Sequence, residues 1–121
     1  PGAHRMQRVG DESAGFSVEV DWPKGTVEVS GWGFWNVEVS RSFARTVLDA
    51  AQQAPGAKLI LDMSALKPVR DEGQAAFLEV FAGLELLSRV EARVVTASHL
   101  TKLQLQRLAR EAGVLERVRF S

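Results

Sequence analysis

Hydrophobic and polar residues alternate from Phe16 onward. Phe16, Val18, Val20 and Trp22 share one face and Ser17, Glu19 and Asp21 the other, a period of two that predicts a strand. Pro23-Lys24-Gly25 supplies a turn, with proline fixing one dihedral and glycine free to take positive φ. Thr26 to Ser30 alternates again, so the two strands are expected to form a hairpin. Gly31-Trp32-Gly33-Phe34-Trp35 then interrupts the alternation.

The period next lengthens to that of a helix. Asn36 is placed to cap it, Phe43, Val47, Ala50 or Ala51, and Ala54 mark its apolar stripe, and Pro55-Gly56 ends it. Ala57 to Leu61 is short, apolar and bounded, which predicts a buried central strand ending at Asp62. Met63 to Arg70 is expected as a loop. Asp71, three residues before Gln74, resembles a capping box opening a second helix, with Phe77, Val80, Phe81, Leu84 and Leu87 as its stripe. Ala92 to Thr96 is a further short strand. Ser98 caps a third helix, with Leu100, Leu103, Leu108 and Ala112 facing inward and Gly113 stopping it. Leu115 to Phe120 alternates as a half-exposed edge strand.

The predicted order is β-β-α-β-α-β-α-β. It implies an α/β fold with a mixed, mainly parallel sheet, an N-terminal hairpin and flanking helices. Residues 1–13 are polar and aperiodic. Residues 1–14 are therefore expected to be a flexible arm or a processing scar, and residues 15–121 a single domain.

Composition narrows the function. The 121 residues carry 15 basic and 15 acidic side chains, so net charge is zero and nucleic-acid binding is not expected. No apolar run approaches the ~20 residues of a membrane span, so no membrane insertion is expected. There is no cysteine, which removes disulfides and thiolate chemistry and agrees with a cytoplasmic location.

Candidate chemistry is sparse. His4 lies in the arm, and His99 opens the third helix as a solvated first-turn residue. No histidine pair has metal spacing, and neither a nucleophile elbow nor a phosphate loop is present. Gly31-x-Gly33 lacks the third glycine of a dinucleotide fingerprint. Asp62, Asp71 and Glu72 could form an acidic constellation near the strand ends. A simpler reading is that Asp71 caps the second helix and Glu72 complements its positive end. Neither a metal, a cofactor nor enzymatic activity is expected. The Lys102, Arg107, Arg110, Arg117 and Arg119 group reads as a solvated basic face. The Trp32-to-Trp35 segment is the most unusual local feature. At least one tryptophan is expected in the core, and an exposed ring there would suit a protein partner.

From Phe16 to Phe120 the chain resembles the STAS domain, the sulfate-transporter and anti-sigma-factor-antagonist family. The resemblance rests on the order of elements and on three stretches. Leu59-Ile60-Leu61-Asp62-Met63-Ser64 is similar to the family's central strand, and Gly73 to its helix-opening glycine. Val94-Val95-Thr96 through Leu108 to Phe120 is similar to its closing strand-helix-strand unit. The family implies binding, not catalysis. Antagonist members occupy an anti-sigma factor with kinase activity, and phosphorylation of a serine in an Asp-Ser-Ser-Gly motif switches that binding off. Others serve as sensor scaffolds, transporter tails or small subunits of lipid-transport complexes.

This chain departs from the motif. Alignment on Gly73 places Arg70 at the aspartate and Asp71 and Glu72 at the serines, so the phosphoacceptor is replaced by a fixed carboxylate. Ser64 is the nearest alternative hydroxyl. The expected function is a regulatory protein-interaction domain without the phosphoswitch, its partner an anti-sigma-factor-like, kinase-like or scaffold protein. The alternative is a lipid- or small-molecule-handling accessory subunit of a transport or sensor complex. The partner surface is expected on Trp32, Phe34, Trp35, Arg70, Asp71, Glu72, Gly73 and Gln74, with Glu72 at the switch position.

Overall fold

The computed structural model describes residues 4–87 and 91–121. Its elements are β1 (His4–Gly10), β2 (Gly15–Asp21), β3 (Thr26–Gly33), α1 (Val37–Gln53), β4 (Lys58–Leu66), α2 (Asp71–Leu86), β5 (Ala92–Thr96), α3 (His99–Glu111), a single 3-10 turn (Leu115–Arg117) and β6 (Val118–Phe120). The fold is α/β, with six strands ordered in space as in the chain. β1, β2 and β3 pair antiparallel, while β3 to β6 pair parallel through crossover helices. Three of the five pairings are parallel and two antiparallel, so the sheet is mixed, with one more antiparallel pairing than the single expected hairpin supplies.

One strand was missing from the predicted order. Residues 4–10, expected within a mobile arm, form β1 beside β2; the first three residues of that arm lie outside the described residues. The Asp11 carboxylate closes the turn between them. It accepts from the Ser13 hydroxyl at 2.6 Å and from the Ser13 and Ala14 amides at 2.9 and 3.1 Å.

Each crossover advances one strand in the same direction, so right-handed connections place all three helices on one face of the sheet. α1 packs on α2 and α2 on α3. The core lies between these layers. Phe16, Phe43, Phe77 and Phe81 are fully buried there, with Trp35 beside them. Phe43 and Phe77 lie 4.7 Å apart, and Phe16 meets Phe43 edge-on at 5.1 Å. Such aromatic clusters add roughly 0.5–1.5 kcal/mol per pair beyond their area.

Two helix starts follow the sequence. Asn36 accepts from the Val39 amide at 2.8 Å, and Ser98 from the Thr101 amide at 3.3 Å. The α2 start does not. Arg70 occupies the cap position without a side-chain cap bond, and Asp71 is already helical. Gln74 sends its amide to the Val69 carbonyl at 3.0 Å instead of closing a capping box. The phase of α3 also differs. Leu100 and Leu103 are exposed, whereas Thr101, Leu105, Leu108 and Ala109 face the core. The buried Thr101 hydroxyl donates to the Leu66 carbonyl at 3.4 Å, which satisfies it there. β4 runs to Leu66, well past the predicted end at Asp62. Trp22 lies beyond β2 and is exposed.

The opposite face of the sheet carries no helix. In-register residues form a row across it: Met6, Glu19, Glu28, Ile60, Arg93 and Arg119. The next row toward the strand ends contains Arg8, Ser17, Ser30, Asp62 and Val95.

Candidate functional site

Because β3 and β4 are parallel neighbours, the loops that leave them lie side by side. Gly33 pairs with Leu66, and the Lys67 amide donates to the Gly33 carbonyl at 3.1 Å. Gly33 holds φ at 74°, and a Cβ there would run into the Ser13 carbonyl oxygen. The glycine therefore lets the β3–α1 loop turn tightly beneath the β1–β2 hairpin.

The loop that follows sends consecutive aromatics in opposite directions. Trp35 points inward. Its ring stacks on Phe77 and its Nε1 donates to the Gly15 carbonyl at 2.9 Å, so the ring is core and its indole is satisfied. Phe34 points outward and is 67% exposed. It stands on the rim of a groove of about 540 Å³ between this loop, the α1 start and the α2 start. Phe34, Trp35, Val37 and Pro68 give the groove its apolar surface. Asn36, Ser40, Arg70 and Glu72 give it polar surface of both charges.

The α2 side is held from behind by α3. The Gln104 side chain accepts from the Val69 amide at 3.0 Å and donates to the Val69 carbonyl at 3.1 Å. Arg107 donates to the Gln74 Oε1 at 2.6 Å. These bonds fix the 67–70 loop without using a residue that faces the groove. Gly73 is buried, and a Cβ on it would press on Val69 at 2.8 Å and approach the Ser40 hydroxyl at 3.5 Å. The glycine allows the α2 start to close against α1.

Glu72 borders the groove and also a second depression of about 270 Å³ between α1 and α2, lined by Arg41, Ala44, Ala75, Ala76 and Glu79 as well. Ser40 and Glu72 line both, so the two depressions adjoin at these residues.

Of the expected partner residues, the fold thus brings Phe34, Trp35, Arg70 and Glu72 together. Asp71 is exposed at the helix start, while Gly73 and Gln74 support the site from behind. Trp32 belongs elsewhere. It is half-buried, its Nε1 donates to the Asp11 carbonyl at 2.8 Å, and the Arg8 guanidinium lies 5.0 Å from its ring. Asp62 sits on the helix-free sheet face, where it accepts from the Ser64 hydroxyl at 2.6 Å, apart from Asp71 and Glu72 in the groove loops. Among the described residues, no three histidine, aspartate or glutamate side chains group to hold a metal ion. No described helix is long and apolar enough to cross a membrane. The sequence reading missed Val37, Ser40 and Pro68 as groove residues and Gln104 as the clamp. Gln104 lies 35 positions from Val69, and no local pattern joins them. No protein-family model matches the chain, and no curated protein matches it significantly.

Proposed function

We propose that this chain is a non-enzymatic regulatory domain that binds another protein through the groove between the β3–α1 loop and the α2 start. It would act in the manner of the anti-sigma-factor antagonists it resembles, with Glu72 as a constant negative charge where they carry a phosphorylatable serine. The observation that carries the reading is the exposed Phe34 ring on the rim of a groove that Glu72 also lines. A large exposed aromatic beside charges of both signs is the composition of a protein-binding centre and rim. The open groove, with polar and apolar residues interleaved, suits a protein segment better than a lipid chain, which favours an enclosed apolar cavity.

The experiment is affinity capture from native cell extract with the unaltered chain and with Glu72→Lys as baits. A protein, recovered in stoichiometric amount by the first and lost with the second, supports the proposal. Recovery of lipid or a small molecule without protein would favour the accessory-subunit reading.

A further inference from the structure

We infer that the helix-free face of the sheet is the interface of a two-fold homodimer, independent of the partner groove. The occupant is identified by the order of charges across the sheet. In the row Met6, Glu19, Glu28, Ile60, Arg93 and Arg119, acid lies on β2 and β3 and base on β5 and β6. Arg93 and Arg119 are exposed, and no ion pair engages either among the described residues. Ile60 and Val95, both half-buried, provide an apolar centre.

Only one way of stacking two copies satisfies this row. A two-fold axis parallel to the strands, between β3 and β4, exchanges left and right. Glu19 then faces Arg93 of the second copy, Glu28 lies between Ile60 and the neighbouring arginine, and Met6 meets the stem of Arg119. An axis across the strands would set glutamates on glutamates and arginines on arginines, a repulsive arrangement. The favoured operator also keeps the two strand directions aligned, as face-to-face sheets pack. In the next row toward the strand ends, two charges have the opposite sign from their half of the face. Arg8 is held over the Trp32 ring, and Asp62, which accepts from Ser64, meets Ser30 of the second copy. Six strands spaced about 4.8 Å apart and about five residues deep give a face of roughly 25 by 17 Å. That footprint is small for a stable dimer, so the charge pattern carries much of the specificity and the association is salt-sensitive. The partner groove lies at the strand ends on the helix side and stays open.

Sedimentation equilibrium of the full chain tests this. A dimer is expected that weakens as salt is raised. Glu19→Lys/Glu28→Lys makes the charges of the Met6-to-Arg119 row wholly basic, and Arg93→Glu/Arg119→Glu makes them wholly acidic. Each double variant alone should self-associate at least about tenfold more weakly, and an equimolar mixture should recover association as a heterodimer. The salt response of the unaltered chain needs no variant, and the unfolding midpoint checks that each variant is folded. A monomer at all concentrations, an open-ended assembly, a dimer indifferent to the reversals, or a mixture that stays monomeric would overturn the inference.

Discussion

The Trp35 and Phe77 rings stack 5.5 Å apart with an interplanar angle of 4°, which fastens the β3–α1 loop to the middle of α2. Fixing Trp35 inward leaves its neighbour Phe34 directed to solvent at the groove rim. The two aromatics should therefore respond differently to truncation. Trp35→Ala should cost about 3–5 kcal/mol in chemical denaturation. Phe34→Ala should change stability by no more than about 0.5 kcal/mol. A large loss at Phe34 would place that ring in the core.

Gly73→Ala should destabilise the domain by about 1–3 kcal/mol, although alanine is the better helix former. The added methyl must displace Val69, whose backbone is clamped on both sides by Gln104. Denaturant unfolding measures the loss; stabilisation instead would mean that the 67–70 loop yields freely.

Asn36→Ala should cost about 0.5–2 kcal/mol, because the Val39 amide loses its acceptor at the first turn of α1. Since Asn36 also lines the groove, the thermal midpoint and partner binding should fall together.

Asp11 gives the β1–β2 hairpin a pH dependence. The Ser13 hydroxyl, then the Ala14 and Ser13 amides, stabilise its carboxylate and hold its pKa below the ordinary 3.8. A depressed folded-state pKa contributes stability that is complete above the unfolded value and lost as pH falls through the folded value. Amide protection in Met6 to Val9, corrected for intrinsic exchange, should decline on acidification from about pH 5 to about pH 3, and Asp11→Asn should flatten that decline. An unchanged profile in the variant would remove Asp11 as the cause.

Much of the fold was readable in the chain because burial and local chemistry agreed. Phe77, Val80, Phe81 and Leu84 recur at helical spacing and are all buried, and Asn36 and Ser98 cap the helices that they precede. β1 was hidden because it is an edge strand with little core to shield. Its inward positions are Arg5, Gln7 and Val9, and Arg5 reaches Gln53 of α1 at 2.8 Å rather than joining the apolar core. The α3 phase failed because Thr101 is buried by virtue of one hydrogen bond, while two leucines remain outside. The groove was legible in part. Parallel strand ends bring Phe34 and Arg70 to one edge, but the choice between Phe34 and Trp35 as the outward ring depends on loop geometry.

The central claim is most directly tested by measuring unfolding and partner binding on the same four proteins: the unaltered chain, Phe34→Ala, Glu72→Ser and Glu72→Lys. The partner is the protein recovered by affinity capture. Near-unchanged stability is predicted for all variants, since a first-turn charge contributes only about 0.3–1 kcal/mol. Binding should weaken by about 2 kcal/mol or more for Phe34→Ala, and more for Glu72→Lys than for Glu72→Ser. Equal, sub-kcal changes in stability and binding across the set would contradict the account and reduce Glu72 to a helix-start charge.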